Sequence, residues 1–139
     1  APVRRPDHAL RALLTAVDMQ REHAQALAQW KAAGWPQPGI GVGISTGEVA
    51  VGNMGTSSHM YYTALGYWMN LGARLCSAAL AGEILTVPQT HSQALASLAD
   101  APERPHVPHL RFSSKGVFRF KNVMEPVEVL TVQAVEPRS

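Results

Sequence analysis

The chain has 139 residues, of which 46% are hydrophobic and 16% are charged. This length suits a single domain, and this balance excludes an intrinsically disordered chain, which would combine low hydrophobicity with high net charge. The formal net charge of +2 is too small to indicate a nucleic-acid or membrane surface by itself, and the single cysteine, Cys76, excludes an internal disulfide and a cysteine-based zinc site.

A long helix is the first predicted element. Apolar residues recur at helical spacing from Leu10 to Trp30, and charged residues occupy the other faces, so the sequence predicts an amphipathic helix over residues 7–33. Asp7 is expected to cap the free N–H groups of its first turn. Gly34, with two prolines shortly after it, is expected to end the helix.

Small residues dominate the segment that follows the helix. Ile40, Val42 and Ile44 alternate with glycine and serine, and Thr46-Gly47 has the composition of a turn. The alternation predicts a β-hairpin over residues 39–53. Glycine at every second position would let another element of the chain, or a ligand, approach the strand closely.

The rest of the chain alternates between short strands and helices. The predicted strands cover residues 61–65, 83–87, 110–112, 117–121 and 126–132, the predicted helices cover residues 68–80 and 88–98, and loops cover residues 100–109 and 113–116. This order of elements predicts an α+β domain over residues 7–135, between short tails at 1–6 and 136–139.

Six short motifs follow one another along this domain. They cover residues 41–49, 51–55, 62–66, 69–75, 82–85 and 120–127. Together they resemble the catalytic domain of class III adenylate and guanylate cyclases of the bacterial kind, and the resemblance extends over nearly the whole chain. It implies a domain that is ferredoxin-like at its core, of which this chain is the C-terminal portion.

The resemblance also implies that the metal-binding part of the family's site is absent from this chain. In the family, a strand with one metal-binding aspartate and a hairpin with a second aspartate precede the long helix. The chain has only three aspartates, Asp7, Asp18 and Asp100, and none of them lies on such a strand. No metal ligand is therefore expected here, and the N-terminal strands of the domain are expected to be missing.

Asn70 and Arg74 are spaced i, i+4, which places both on one face of the second predicted helix. An amide can hold a ribose, and a planar guanidinium can bind phosphate oxygens with two parallel hydrogen bonds. By spacing alone, a solvated polar helix face explains the pair better. The resemblance matches them to the family's transition-state-stabilising asparagine and arginine, and it favours the catalytic interpretation.

Two further residues match substrate-binding positions of the family. Thr63 corresponds to the position that reads the purine base, and threonine there goes with ATP; without the resemblance it is an ordinary strand residue. Lys121 corresponds to the terminal lysine that contacts the triphosphate; without the resemblance it is a solvated charge on an edge strand. The family usually has glycine next, where this chain has Asn122, the non-glycine residue that best tolerates a left-handed backbone.

The resemblance implies an enzyme that converts ATP to 3′,5′-cyclic AMP and pyrophosphate with two Mg or Mn ions, which aspartates outside this chain would bind. A homodimer, or a partner cyclase segment, would complete the site, and the chain alone is expected to be inactive. The alternative is a truncated, non-catalytic module for dimerisation or regulation. A nucleic-acid reader, based on basic residues alternating with Phe118 and Phe120 in the last predicted hairpin, is less favoured because the usual RNA-reading motif is absent. No apolar run reaches about 18 residues, so no membrane segment is expected in this chain. The cytoplasm is the expected location, and a parent protein could still be attached to a membrane through segments outside this chain.

Overall fold

The computed structural model describes residues 7–47, 50–56, 59–100 and 109–135. Helices and strands alternate along these ranges. In chain order they are α1 (His8–Ala32), β1 (Val42–Gly43), β2 (Ala50–Thr56), β3 (His59–Leu65), α2 (Tyr67–Ala78), β4 (Ile84–Thr86), α3 (Pro88–Asp100), β5 (His109–Phe118) and β6 (Val127–Val135). The predicted α+β class is confirmed.

The strands form two sheets. Four strands lie in the order β1-β4-β6-β5, in which β1 and β4 are parallel and the other neighbours are antiparallel. Strands β2 and β3 form a separate antiparallel hairpin, whose register runs from Ala50 opposite Leu65 to Thr56 opposite His59. Strand β3 leads through Gly66 directly into α2.

Helices cover both faces of the four-stranded sheet. Alternate residues of β4 enter different hydrophobic clusters, with Ile84 on one face and Leu85 on the other. The first cluster joins α1 and α3 to the sheet through Leu10, Leu13, Ala16, Val17, Ile84, Ala94 and Val132. The second joins α2 to the opposite face through Leu71, Leu75, Leu85, Val87, Val123, Val127 and Val129. The sheet therefore separates α1 from α2.

The predicted hairpin over residues 39–53 is wrong. Strand β1 pairs with β4, and β2 pairs with β3, so the two halves of that segment lie in different sheets. The predicted close approach is nevertheless present, because α2 packs directly on β1. A Cβ atom on Gly41 would lie 2.7 Å from the Cβ of Ala79, and one on Gly43 would lie 2.7 Å from the Cβ of Leu75. The small residues of β1 accommodate a helix and do not mark a hairpin.

The two predicted strands over 110–112 and 117–121 are one strand. Strand β5 runs from His109 to Phe118, and its pairing with β6 shifts by one residue between Ser114 and Gly116. The polar residues that predict a turn form a β-bulge, which takes up an extra residue without ending the strand. The basic hairpin expected around residues 113–116 is therefore also wrong, and Lys121 lies in the connection between β5 and β6.

The helix boundaries agree closely with the sequence. Helix α1 spans His8–Ala32, and Gly34 follows it with φ 75°. The predicted cap is wrong, because the Asp7 side chain makes no capping hydrogen bond and accepts two from the Nε of Arg11, at 2.9 and 3.0 Å. Most of the predicted loop over 100–109, and both predicted tails, lie outside the described residues.

Candidate functional site

Buried leucines fix the rotation of α2. Leu71 and Leu75 are 1% and 0% exposed and pack in the second hydrophobic cluster. Asn70 and Arg74 each precede one of these leucines, so their side chains lie at the edge of the buried face, with Asn70 exposed and Arg74 half-buried. The predicted placement of both residues on one helix is confirmed, and neither side chain points into the apolar interior.

The N-terminal end of α2 is held against the segment after β1. The hydroxyl of Ser45 donates a hydrogen bond to the main-chain carbonyl of Trp68. The indole of Trp68 lies directly over Gly47, where a Cβ atom would collide with the ring. Trp68 also packs against the second cluster, while the neighbouring Tyr67 is exposed. These contacts fix where the helix begins and therefore where Asn70 stands.

A tight turn lies between β5 and β6. The N–H of Val123 donates to the carbonyl of Phe120 at 3.1 Å, and Asn122 has φ 65°. The expectation that Asn122 adopts a left-handed backbone is confirmed. Val123 is buried, and Phe120, stacked on Phe118, packs against the same cluster as α2. The core thus anchors the turn on both sides of Lys121, whose own side chain is exposed.

Arg74 connects α2 to this turn. Its Nε donates a hydrogen bond to the main-chain carbonyl of Lys121 at 3.0 Å. Within the described ranges, no hydrogen bond or ion pair is recorded for the terminal nitrogens of Arg74, the ammonium of Lys121 or the side chain of Asn70. Arg74 is therefore in contact with the main chain of Lys121, Asn70 lies one helical turn before Arg74, and the side chains of Asn70 and Lys121 are exposed to solvent.

Thr63 is the fourth predicted site residue. It lies on β3 opposite Gly52, three residues before the glycine that precedes α2. The backbone thus connects Thr63 to the helix that carries Asn70 and Arg74. Its assignment as the base-reading residue stays a prediction.

Comparison with solved structures identifies proteins that have a similar fold. The adenylyl cyclase CyaB from P. aeruginosa superposes with a TM-score of 0.72 at 31% identity over 94% of this chain. The guanylyl cyclase Cya2 gives a TM-score of 0.74 at 32% identity over 97% of this chain. The fold is that of the class III adenylyl and guanylyl cyclase catalytic domain. The chain spans 60% and 62% of the length of these two cyclase structures.

A solved structure of lower identity has the same fold. The guanylate cyclase domain of RhGC from Catenaria anguillulae, solved in complex with GTP, superposes with a TM-score of 0.71 at 22% identity. Among curated proteins, an uncharacterised protein of Mycobacterium tuberculosis is 38% identical over 56 residues, which are 40% of this chain and 10% of that protein. No family model matches the sequence.

The site residues of this cyclase fold do not fit a divalent cation. Arg74 and Lys121 are cationic and Asn70 is neutral, so the set repels a metal ion and attracts phosphate oxygens. No group of three or more His, Cys, Asp or Glu side chains that could hold a metal is present in the part of the chain that the structure describes. Asp18 is on α1, across the sheet from α2. Among the described residues, the chemistry of this set therefore favours phosphate oxygens over a divalent cation.

Lys115, one of the basic residues near the end of the chain, forms an ion pair with Glu83. Lys115, at the bulge of β5, donates to both oxygens of Glu83 at 2.7 and 2.9 Å. The hydrogen bond from Lys115, followed by one from the N–H of Leu80, lowers the pKa of Glu83 below its usual value of 4.5, although partial burial acts in the opposite direction. Lys115 is thus neutralised within the fold, which weakens the case for a basic nucleic-acid surface. No described helix is long and apolar enough to cross a membrane.

Proposed function

We propose that this chain supplies the transition-state and base-reading half of a nucleotide cyclase site that converts ATP to 3′,5′-cyclic AMP and pyrophosphate. In this reaction the ribose 3′-oxygen forms a bond to the α-phosphorus, and the bond from that phosphorus to the pyrophosphate oxygen breaks. The 3′-hydroxyl loses its proton as the new bond forms. Negative charge spreads over the phosphate oxygens, so positioned cationic donors lower the barrier.

The observation that carries this proposal is the junction of Arg74 with the turn at Lys121. The Arg74 guanidinium contacts the main chain of Lys121, a residue far away in sequence whose exposed side chain carries an ammonium, and the exposed amide of Asn70 lies one helical turn before Arg74. Such a set binds successive phosphates of a triphosphate better than a lone cation does, because each cation neutralises a different part of the chain of charges.

Each residue has a defined role in the proposed site. Arg74 contacts the α-phosphate through its terminal nitrogens, and Asn70 orients the ribose. Lys121 binds the outer phosphates as a point charge. Thr63 exchanges a hydrogen bond with the adenine edge, which supports ATP over GTP. Two Mg or Mn ions would neutralise the triphosphate and activate the 3′-hydroxyl.

In this proposal the metal ligands come from outside the set of Asn70, Arg74, Thr63 and Lys121. The described site residues repel cations, so a homodimer whose subunits include the metal-binding segment, or a separate cyclase segment, would contribute the aspartates. The reaction would then occur at the boundary between the two. The cyclase fold of this chain supports such an arrangement, in which each side supplies what the other lacks.

A complementation assay tests the proposal. The purified chain is mixed with the adenylyl cyclase domain of P. aeruginosa, in which the two residues that superpose on Asn70 and Arg74 are replaced by alanine. Cyclic AMP is then measured with Mn and ATP. We expect product from the mixture and none from either protein alone. The matched control is the same mixture with Arg74→Ala in this chain, which should lose the product.

The outcomes separate the two functional hypotheses. Product in the mixture, lost with Arg74→Ala, supports the half-site. Absence of product in the mixture contradicts it. If the two proteins associate without forming product, the chain is instead a non-catalytic dimerisation or regulatory module, the alternative that the sequence leaves open.

A further inference from the structure

The turn between β5 and β6 reaches α2 through its main chain. The contact atom on the turn is the carbonyl oxygen of Lys121, which accepts from the Nε of Arg74 at 3.0 Å. The side chain of Lys121 takes no part in this contact. Lys121 therefore has two separable features, an ammonium that is exposed to solvent and a carbonyl that holds the arginine.

Both partners of this contact are anchored in one hydrophobic cluster. Leu75 follows Arg74 directly and is 0% exposed, and Leu71 lies one turn earlier. On the other side, Phe120 and Val123 flank the two turn residues and pack in the same cluster. Since close-packed interiors resist small displacements, the distance from α2 to the turn is set by the core and not by the exposed residues.

The backbone of Asn122 determines where the Lys121 carbonyl points. The turn is closed by the hydrogen bond from Val123 to Phe120, which leaves the Lys121 carbonyl available to a donor outside the turn. The φ of 65° at Asn122 belongs to the left-handed region, where asparagine is tolerated and β-branched residues are strongly disfavoured. A right-handed or extended backbone at this position would turn the preceding peptide and carry the carbonyl away from Arg74.

We infer that Asn122 is a positioning residue, whose left-handed backbone directs the Lys121 carbonyl to Arg74 and thereby sets the orientation of the guanidinium. The inference rests on the proposed function of Arg74. With Nε occupied, the two terminal nitrogens form the edge that faces the phosphate. An arginine side chain that is held at Nε loses less conformational freedom when the substrate binds.

Three variants of the 139-residue chain test this inference. Asn122→Gly keeps access to the left-handed backbone, Asn122→Val removes it, and Lys121→Ala removes the ammonium while keeping the carbonyl. The first readout is the exchange rate of the Arg74 Nε proton, followed by NMR in the uniformly ¹⁵N-labelled chain. It needs no nucleotide and no partner. The second is kcat and KM for ATP in the complementation assay.

Asn122→Val should expose the Nε proton of Arg74 to solvent. Its exchange should become roughly three- to tenfold faster, which is the effect expected for the loss of one hydrogen bond. In the assay kcat should fall by up to about 10²-fold with little change in KM, as misplacement of a transition-state group does. Asn122→Gly should match the original chain in both readouts.

Lys121→Ala should affect substrate binding and leave the Arg74 hydrogen bond intact. The Nε proton of Arg74 should stay protected, because the carbonyl is retained, while KM for ATP should rise.

Unchanged protection in Asn122→Val would overturn the inferred geometry. Faster exchange with an unchanged kcat would overturn the positioning role. Thermal melting of each variant is recorded, and if Asn122→Val fails to fold, Asn122→Ala, with less strain at this φ, replaces it.

Failure of the proposed function gives a different result. If the mixture with the original chain yields no cyclic AMP, the proposed function is wrong, whereas the exchange measurement still decides whether Asn122 directs the carbonyl to Arg74. Protection that is present in the original chain and in Asn122→Gly, and absent in Asn122→Val, would support the geometric part of the inference independently of activity.

Discussion

Arg74 and Lys121 are separated by 47 residues in the sequence and are joined by one hydrogen bond of 3.0 Å, from the guanidinium Nε to the main-chain carbonyl. One partner lies on α2 and the other between the last two strands. The two elements meet because Leu71, Leu75 and Val123 belong to the same hydrophobic cluster. The core of the second face therefore places the cations, and their charges take no part in the packing.

Arg74→Lys should abolish most of the activity in the complementation assay. Lysine keeps the positive charge but lacks both the Nε donor and the planar pair of terminal nitrogens. Loss of one transition-state donor lowers kcat by about 10²–10³-fold, and we expect a decrease in that range. The matched control is Arg119→Lys, an exposed arginine in the connection between β5 and β6. Equal losses in the two variants would contradict the specific role of Arg74.

The sequence predicts elements with strong local signals well. Helix α1 is long and periodic and ends at a glycine with φ 75°, so both its existence and its end are set by nearby residues. The register of Asn70 and Arg74 on α2 follows from helical spacing alone. Each of these features depends on residues within a few turns of one another.

Features that depend on long-range pairing are not predicted. Alternating glycine in β1 is equally compatible with a hairpin partner and with a helix packed on the strand, and only the packing of Ala79 and Leu75 on it decides between them. Residues 113–116 have turn composition, but β6 continues beside them and converts the expected turn into a bulge. The contact of Arg74 with a main-chain carbonyl leaves no side-chain signature, except the tolerance of Asn122 for a left-handed backbone.

Thr63→Val tests the assignment of the base-reading residue. Valine has nearly the same shape as threonine and lacks the hydroxyl, so only the proposed hydrogen bond to adenine is removed. The value of kcat/KM for ATP in the complementation assay should fall roughly three- to tenfold. The control is Thr15→Val, which should have no effect. Thr15 is exposed on α1, and α1 lies on the face of the four-stranded sheet opposite to α2. An unchanged kcat/KM in Thr63→Val would remove the basis for preferring ATP.

Gly43→Ala should destabilise the fold. The added Cβ would lie 2.7 Å from the Cβ and the carbonyl carbon of Leu75, so α2 would have to move away from β1. Such overpacking costs about 1–3 kcal/mol, which a urea unfolding curve resolves. Gly72→Ala is the control, because within the described part of the chain its Cβ would meet just the Ser45 hydroxyl, at 3.1 Å, while the helix gains propensity. An equally stable Gly43→Ala would show that α2 and β1 are not in direct contact.

The Glu83–Lys115 pair should make stability depend on pH. The pKa of Glu83 is lowered in the folded state, mainly by the hydrogen bond from Lys115. Such a carboxyl stabilises the fold above its unfolded-state pKa, near 4.5, and this contribution is lost as the pH falls through the lower folded-state pKa. Lys115→Met should therefore be less stable than the original chain at pH 7, and the difference should shrink below pH 4.5.

Urea unfolding at pH 7 and at several lower values measures this difference. Lys31→Met, in the last turn of α1, is the control, because its effect should not change across that pH range. A difference between Lys115→Met and the original chain that stays constant as the pH falls would contradict the assignment of the pH dependence to Glu83.

The open edge of the four-stranded sheet should promote self-association. Strand β1 is at one end of the order β1-β4-β6-β5, and among the described strands only β4 pairs with it. The N–H groups of Val42 and Ile44 donate to the strand of β4. The main-chain N–H and C=O of Gly43, which lies between them, therefore point to the opposite side, away from β4. Unpaired strand edges pair readily with another chain.

Light scattering should therefore give a mass above that of a monomer. This mass should rise with concentration and persist at high salt, because salt screens charge attraction but not main-chain pairing. A stable monomer at every concentration would contradict this expectation, and association lost in high salt would assign it to surface charge.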